Sequence, residues 1–325
     1  MVFATGALAQ ETVYTFTPDK ISALNLYNSQ LFFVTSNQYA SKSNSSATNN
    51  KTISITRLDK TNDGWTSTII ESKGAITLAN GGAKIQRWPS NLRSRIYDNT
   101  RRTILYEFHR SIYTTRPLIN HYYGVEFNSP NDVYATSDGP YGSPIHHTVH
   151  GKESDHNPQL PNHVYRYMPD TNDIRVVADG FQEPNGITFS PDEKTAYITD
   201  GMGNSTNPTG PRAIYAYDVI TRGGQPSLAN KRIFAVPQKG LPDGIKTDAA
   251  GNVYAGCGDG VNVWNEGGIL IGKVVVPGGS ANFVLGNEGN RTQIWLLNED
   301  KLWQASLGLY EAVDGTNSTS TETQS

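Results

Sequence analysis

Three tripeptides place amide or carboxyl side chains at nearly even intervals along this chain of 325 residues. They are Pro130-Asn131-Asp132, Pro184-Asn185-Gly186 and Pro242-Asp243-Gly244. Asn185 follows Asn131 by 54 residues, and Asp243 follows Asn185 by 58 residues. Amide side chains donate and accept hydrogen bonds, and a carboxyl group can also transfer a proton. Side chains of these types could orient a small molecule if the fold brings them together.

Each tripeptide opens an apolar run that is typical of a β-strand, and the even spacing predicts a repeated unit. Further unit starts are indicated by Ile21–Leu26, by Asn80-Gly81-Gly82 and by Asn282-Phe283-Val284, which gives six units in all. Repeats of about 40 to 50 residues with several short strands are typical of β-propellers. The repeats therefore predict an all-β protein with the architecture of a six-bladed β-propeller.

The composition agrees with a single turn-rich β domain. The chain has 31 Gly, 17 Pro and 17 Tyr, and 18% of its residues are charged. A net charge of −3 without a basic cluster argues against nucleic acid as a partner. No run of 18 apolar residues predicts a membrane-spanning helix. We predict one propeller domain over residues 11–312, followed by a disordered Ser- and Thr-rich tail over residues 313–325.

The N-terminal residues 1–10 are typical of the end of a secretory signal, with a short apolar stretch and small residues at Ala7 and Ala9. Five Asn-x-Ser/Thr sequons agree with a secreted or extracellular glycoprotein, at Asn44, Asn50, Asn204, Asn290 and Asn317. The single cysteine, Cys257, is expected to be a small buried hydrophobic residue on a strand, rather than a nucleophile.

Four segments resemble the gluconolactonase, regucalcin and senescence-marker family, and among its members the fungal lactonohydrolases. They are Phe127–Asp132, Glu183–Asp192, Leu241–Gly244 and Gly256–Asn265. The resemblance extends over most of the chain and implies a six-bladed propeller. It also implies one divalent cation, usually calcium, held by a Glu, two Asn and an Asp. In that family site the cation polarises a lactone carbonyl and the Asp acts as base toward water.

The chain departs from this family pattern at the predicted metal site. Asn131, Asn185 and Asp243 match the two Asn and the Asp, but Ile21, Ser22 or Ala23 stands where the Glu is expected. A single carboxylate holds calcium weakly, so the site is predicted to be vestigial, without a metal or other cofactor. The unit that begins at Asn131 also reaches Tyr141-Gly142 early. This shortened blade is expected to have lost its inner or its second strand.

All seven histidines lie between His109 and His163, several of them in a polar loop that follows Pro140. A solvated loop over the channel mouth is favoured over a transition-metal site. A single histidine that reaches into the pocket as hydrogen-bond donor or general acid is a further alternative. The segments Arg87–Arg93 and Tyr106–His109 form either an aromatic pocket wall or a repacked blade. The residues predicted to contact substrate are Asn80, Trp88, Tyr141, His146, Asn282 and Phe283.

Three functions remain open on this basis. In each of them the protein binds a small molecule or a partner at its surface, and in none does it bind nucleic acid or a membrane. The first is a metal-independent enzyme of fungal specialised metabolism that promotes cyclisation or a hetero-Diels–Alder cycloaddition, with Asp243, Asn185 and Asn131 as catalytic residues. The second is a calcium-dependent lactonase in which Asp243 is the base. The third is a propeller that only binds a partner or glycan.

Overall fold

The computed structural model describes residues 7–8, 11–15, 21–28, 31–39, 51–70, 79–84, 93–98, 104–109, 114–127, 130–136, 139–144, 159–168, 171–201, 209–288, 291–298 and 301–307. Side chains are described from residue 56 to 70 and, with gaps, from residue 119 to 307. These parts of the chain form 27 β-strands, as the turn-rich and β-rich composition predicts. None of them forms a helix of the length and apolarity that a membrane span requires.

The strands in chain order are β1 Ala7–Leu8, β2 Glu11–Thr15, β3 Ile21–Asn28, β4 Leu31–Tyr39, β5 Lys51–Thr61, β6 Gly64–Ile70, β7 Ala79–Lys84, β8 Arg93–Asp98, β9 Ile104–His109, β10 Thr114–Ile119, β11 His121–Tyr122, β12 Val125–Glu126, β13 Pro130–Thr136, β14 Gly139–Pro144, β15 Val164–Met168, β16 Asp173–Ala178, β17 Pro184–Phe189, β18 Thr195–Gly201, β19 Arg212–Arg222, β20 Gln225–Ala235, β21 Ile245–Thr247, β22 Val253–Cys257, β23 Gly260–Trp264, β24 Leu270–Val275, β25 Asn282–Glu288, β26 Arg291–Asn298 and β27 Lys301–Leu307.

Within the described residues these strands make six sheets of four or five strands and one two-stranded hairpin, β11–β12. Consecutive strands pair antiparallel in the sheets β3–β6, β7–β10, β13–β16 and β17–β20. The sheet β21–β24 gains β1, which pairs parallel with β24. The last sheet joins β25, β26 and β27 to β2, which pairs antiparallel with β27. Chain segments that are far apart in sequence therefore complete one sheet together.

The first strands of successive large sheets contact one another. β3 contacts β7, β7 contacts β13, β13 contacts β17, β17 contacts β21, β21 contacts β25, and β25 contacts β3. Hydrogen bonds from Asn131 to Asn185, between Asn185 and Asp243, and from the Gly244 N–H to the Ala281 carbonyl bring the starts of β13, β17, β21 and β25 to one end of their sheets. This is the end at which the three tripeptides lie.

Several predicted strand starts are confirmed. Pro130 opens β13 and Pro184 opens β17, whereas Pro242 lies three residues before β21. Asn282 opens β25, and Asn80 lies on β7. Each tripeptide thus leads into the first strand of a sheet.

The predicted loss of a strand from the unit that begins at Asn131 is wrong. β13 occupies the first position of its sheet, and β14, which includes Tyr141 and Gly142, occupies the second. Two residues connect the strands, with Thr136 paired to Gly139. A two-residue hairpin connection accounts for the short sequence without removal of either strand.

The core consists of apolar clusters between neighbouring sheets. Cys257 is 3% exposed and packs in one such cluster with Ile245, Val253 and Trp264. Burial raises the pKa of its thiol to about 12, so the thiolate is scarce at neutral pH. The prediction that Cys257 is a buried hydrophobic residue is confirmed. At the N-terminus, Ala7 and Leu8 pair with Val274 and Val275; the secretory signal stays a prediction.

Candidate functional site

The candidate site is formed where the starts of β13, β17 and β21 meet. Close approach of these segments depends on the glycine of each Pro-Asx-Gly tripeptide. A Cβ atom on Gly186 would lie 2.5 Å from the Asp243 carbonyl oxygen, and one on Gly244 would lie 2.5 Å from Asn282 Oδ1. The atoms that meet Gly186 belong to the backbone and cannot move aside, so only glycine lets β17 approach β21 this closely, whereas Asn282 could rotate away from a side chain at Gly244. Local sequence thereby sets the spacing of the polar side chains.

The structure brings Asn131, Asn185 and Asp243 into one hydrogen-bonded row. Asn131 Nδ2 donates to Asn185 Oδ1. The Asn185 side chain is in turn hydrogen-bonded to the carboxyl group of Asp243. Because the Asn185 oxygen accepts from Asn131, its amide nitrogen is the group that faces Asp243. The three side chains picked out by sequence spacing are therefore neighbours, while their chemical roles remain predictions.

The carboxyl group of Asp243 has a pKa raised from 3.8 to about 7. Burial is the largest cause, and the negative charge of Asp132 is the second. The Asn185 amide, Lys246 and the backbone N–H of Gly244 oppose the rise. At neutral pH both protonation states are populated, so Asp243 can donate a proton to one group and accept one from another.

The backbone of Asp243 is fixed by a buried threonine that sequence reasoning missed. Thr199 is fully buried, and its hydroxyl donates to the Asp243 carbonyl oxygen at 2.8 Å. The same hydroxyl accepts from the Gly186 N–H at 2.7 Å. Asp243 N–H also donates to the Gly256 carbonyl at 2.9 Å. One hydroxyl on β18 thus ties the start of β17 to the segment that carries Asp243.

Replacement of Thr199 by valine tests this link. We expect Thr199→Val to lower the free energy of unfolding by about 1–3 kcal/mol, because two buried backbone groups lose their partner. Activity should fall as well, since Asp243 loses a support. Thr199→Ser should retain both properties. Urea unfolding and rate measurements check the prediction.

Thr188→Val is a matched control for Thr199→Val. Thr188 is 1% exposed, and its hydroxyl has no hydrogen-bond partner in the described part of the chain. Its valine variant should therefore be as stable as the wild type or more stable. Equal losses from the two valine variants would show that the Thr199 hydroxyl has no special role.

A second carboxyl group, Asp132, lies beside the row and was also missed. Asp132 is 6% exposed and accepts from the Val133 N–H at 2.8 Å and the Ile187 N–H at 3.3 Å. Burial raises its pKa, and the charge of Lys246 opposes this rise. The site therefore contains two carboxyl groups, one more than the sequence motifs predicted. Side-chain alternation gave no signal for Asp132, because a register shift interrupts β13 between Pro130 and Asp132.

The segment that leads into Asn185 is held by Asp200, another residue without a sequence signal. Asp200 is 1% exposed and accepts from the backbone N–H groups of Gln182 at 3.2 Å and Glu183 at 2.8 Å. Burial raises the pKa of this carboxyl group, and its two backbone hydrogen bonds oppose the rise. Asp200 therefore fixes the chain immediately before Pro184.

The other predicted substrate contacts have different outcomes. Phe283 is fully buried and packs in the core with Tyr254, and its contact with substrate stays a prediction. Asn282 Oδ1 accepts from the Phe283 N–H at 2.9 Å, next to Gly244. Asn80 and Tyr141 lie on β7 and β14, but their side chains are outside the described set. The remaining predicted positions outside the described residues are Trp88, His146, Asn44, Asn50, Asn204, Asn290, Asn317 and the tail 313–325.

The donors of the described site do not fit a firmly held calcium ion. Asn131 and Asn185 are neutral, and the oxygens of Asp132 already accept from backbone N–H groups. The strand β3, which the family pattern would use for an acidic ligand, contains no Asp or Glu. Among the described residues no three His, Cys, Asp or Glu side chains form a metal-binding group. Calcium binds through several charged oxygens, whereas burial raises the pKa values of both Asp132 and Asp243 and so disfavours their charged forms.

A cavity of about 640 Å³ lies at the opposite end of the strands, between the sheets β17–β20 and β21–β24. Its walls include Asp192, which follows β17, and Glu266, which follows β23. None of the predicted site residues lines it. The candidate site is therefore the convergence of Asn131, Asn185 and Asp243 and not this cavity.

Comparison with known proteins agrees with the fold and the motifs. The model of the SMP-30/Gluconolactonase/LRE-like region matches residues 28–293. The chain belongs to this family, whose fold is a β-propeller. Lactonohydrolase oryL of Aspergillus oryzae is 31% identical over 239 residues, which cover 63% of this chain and 51% of that protein. The gluconolactonase of Zymomonas mobilis is 30% identical over 164 residues, 48% of this chain and 44% of that protein.

Solved structures are similar over most of the chain. A gluconolactonase from Xanthomonas campestris has a TM-score of 0.64 and 25% identity, and the match covers 78% of this chain and 81% of that one. A calcium-binding regucalcin from Agrobacterium tumefaciens has a TM-score of 0.60 and 14% identity over 93% of each chain. The matched stretches span only about half of the length of these curated relatives, or less.

Proposed function

We propose that this chain is an enzyme that acts on a small molecule bound where Asn131, Asn185 and Asp243 converge. The observation that carries the proposal is a carboxyl group with a pKa of about 7 at the end of a row of two amides. A buried carboxyl group of this kind destabilises the folded protein when it is ionised, and groups with such shifted pKa values are typical of catalytic sites. We further propose that the reaction does not require a bound metal, because two amides and two buried carboxyl groups with raised pKa values make a weak calcium site.

The reaction class that we propose first is cyclisation or cycloaddition, for example a hetero-Diels–Alder addition to a quinone methide. Such a reaction forms its new bonds between a bound diene and a dienophile, on two molecules or on one, and needs no leaving group, oxidant or reductant. The protein has to orient the substrates and donate hydrogen bonds to an oxygen that gains negative charge. The protonated carboxyl group of Asp243 and the amide nitrogens are donors of this kind. The substrate would belong to specialised metabolism.

Lactone hydrolysis is the second candidate, and two observations favour it. The relatives named lactonohydrolase and gluconolactonase are 31% and 30% identical to this chain. The ionised form of Asp243 is also a suitable base toward water. Under this alternative Asn131, Asn185 and Asp243 would hold a calcium ion, which when bound supplies polarisation of the lactone carbonyl.

Chelation and pH distinguish the two candidates. With cycloaddition of an ortho-quinone methide, we expect the rate and stereochemistry to be unchanged by EDTA. The rate should fall as pH rises through about 7, because Asp243 loses the proton that it donates. With hydrolysis of glucono-δ-lactone, activity should instead require calcium and rise over the same pH range. Product analysis by chiral chromatography and a pH-stat assay provide the measurements.

A negative result would be equally informative. If the cycloaddition proceeds at the same rate and stereochemistry with and without the protein, the first candidate loses its basis. Hydrolysis of the lactone that stops with EDTA and returns with calcium would establish the second candidate.

We also propose that the six large sheets close into a six-bladed propeller of the secretory pathway. The contact between β25 and β3 and the pairing of β2 with β27 support closure. The five sequons support glycosylation. Treatment with an Asn-glycan hydrolase tests the glycosylation, and we expect the mass of the protein to decrease. An unchanged mass would show that the sequons are unmodified.

A further inference from the structure

The cavity between the sheets β17–β20 and β21–β24 has the size of a small-molecule site. Its volume of about 640 Å³ lies within the range of roughly 300–1,000 Å³ that is typical of ligand pockets. Its walls include the turns that follow β17, β21 and β23, together with part of the strand β20. These turns lie at the end of the sheets opposite to Asp243. A ligand in this cavity would therefore be separate from the candidate functional site.

Tyr197 forms a buried wall of the cavity and brings a hydroxyl group to it. The residue is 4% exposed, and its ring contacts Phe234 edge-on at 4.9 Å. Within the described part of the chain this hydroxyl makes no hydrogen bond. Burial raises the pKa of Tyr197, the charge of Arg232 opposes the rise, and the charges of Glu266 and Asp192 add to it. The hydroxyl therefore lies near all three charged side chains of the lining.

The hydrogen-bond donors around the cavity are already engaged. Arg232 donates to the Asp218 carboxylate at 2.8 Å, so its charge is balanced by a group outside the lining. In the turn between β21 and β22, the Ala250 N–H donates to the Asp248 side chain at 2.9 Å. The Gly251 N–H donates to the Asp248 carbonyl at 3.1 Å. An anionic ligand would have to compete with these bonds.

The acceptors of the cavity are available to a ligand. Glu266 makes no hydrogen bond or ion pair in the described part of the chain. Its Oε2 atom would lie 3.6 Å from a Cβ atom on Gly251, so the carboxylate stands over the turn between β21 and β22. On another wall, Asp192 accepts from the Ser190 hydroxyl at 2.7 Å and lies 3.4 Å from the exposed Lys194 ammonium. Exposed ion pairs of this kind are weak, so the lining keeps a negative character.

We propose that this cavity is a second small-molecule site, which takes an organic cation in the form of a protonated primary amine on an apolar group. An ammonium group has three donors and no acceptor, which suits a cavity with unpaired acceptors at Glu266 and Tyr197. Ile233, which is 66% exposed, and Phe234 line the same cavity and would cover the apolar group. The proposal does not depend on any reaction at Asp243.

Phenethylamine is the probe, and ligand-observed saturation-transfer NMR at neutral pH measures its binding. We expect 2-phenylethanol, which has the same ring without the charge, to bind about fivefold more weakly or less tightly still. Glu266→Gln should weaken phenethylamine binding about fivefold or more, because the carboxylate charge is lost while the size is kept. Tyr197→Phe should weaken it about threefold. The melting temperature of Tyr197→Phe should not fall, because the hydroxyl leaves no described group unpaired.

Two control variants locate the bound probe. Asp63→Asn removes one negative charge from the exposed turn between β5 and β6, away from the cavity, and should bind phenethylamine as the wild type does. Asp243→Asn should bind it equally well, because the candidate functional site is not involved. Loss of binding in Asp243→Asn would assign the probe to that site and overturn the proposal. Absence of saturable binding to the wild type, equal binding of 2-phenylethanol, or unchanged affinity in Glu266→Gln would each overturn it as well.

Discussion

Asp243→Asn is expected to lower the rate of lactone hydrolysis by about 100-fold or more, the effect of removing a positioned base, and to lower the rate of cycloaddition less, because the Asn amide still donates a hydrogen bond. The substitution keeps the size of the side chain and an oxygen that can accept from Asn185. It removes only the ability to exchange a proton and to carry charge. A large loss would therefore indicate proton donation or acceptance by Asp243 and not a change of shape.

The same substitution is expected to stabilise the protein at alkaline pH. The pKa of Asp243 is raised from 3.8 to about 7 on folding, so the folded state binds the proton more tightly than the unfolded state. The contribution of the protonated Asp243 carboxyl group to the free energy of unfolding is complete below pH 3.8 and is lost as pH rises through about 7. Above that pH the wild type bears a buried charge that Asn does not have. We expect Asp243→Asn to gain on the order of 2–4 kcal/mol there, with no gain below pH 4.

Urea unfolding of both proteins at pH 4, 6 and 9 measures this pH dependence. Asp173→Asn is the control, because Asp173 is a partly exposed carboxylate with a weak contact to Arg175 at 3.8 Å. It should change neither activity nor the pH dependence. An Asp243→Asn protein that is less stable than the wild type at pH 9, or fully active, would contradict the assignment of Asp243 as a functional carboxyl group.

Gly186→Ala is expected to lower the free energy of unfolding by about 3 kcal/mol or more, at the upper end of the range for overpacking. The added Cβ atom would lie 2.5 Å from the Asp243 carbonyl oxygen and 2.9 Å from the Ile245 nitrogen. Both are backbone atoms, so no side chain can rotate to make room. Relief requires separation of β17 and β21, which also pulls Asn185 away from Asp243. Activity should therefore fall together with stability.

Gly272→Ala is the matched control for Gly186→Ala. Gly272 also lies on a strand, β24, and a Cβ atom there would meet nothing within 4 Å. Its alanine variant should stay within about 0.5 kcal/mol of the wild type. Urea midpoints of the two variants provide the comparison. Similar midpoints would mean that the approach of β17 and β21 is not as close as described.

The repeated tripeptides predicted much of the fold because their information is local. An asparagine at or next to the first residue of a strand, preceded by proline in β13 and β17, indicates entry into the first strand of a sheet. The positions of β13, β17 and β25 could therefore be predicted from residue types and spacing alone. That this sheet keeps both β13 and β14 was not predicted, because a two-residue connection and a lost strand shorten the sequence in similar ways.

The sequence by itself determined which side chains lie at the starts of the first strands, namely Asn131, Asn185 and Asp243. Only the tertiary structure decided their chemistry. The pKa of Asp243 depends on burial and on Asp132, which is 111 residues away in the chain. The support from Thr199 and the burial of Phe283 likewise come from neighbouring strands. Desolvation and charge interactions depend on distance in space, and sequence spacing reports that distance only where a local turn fixes it.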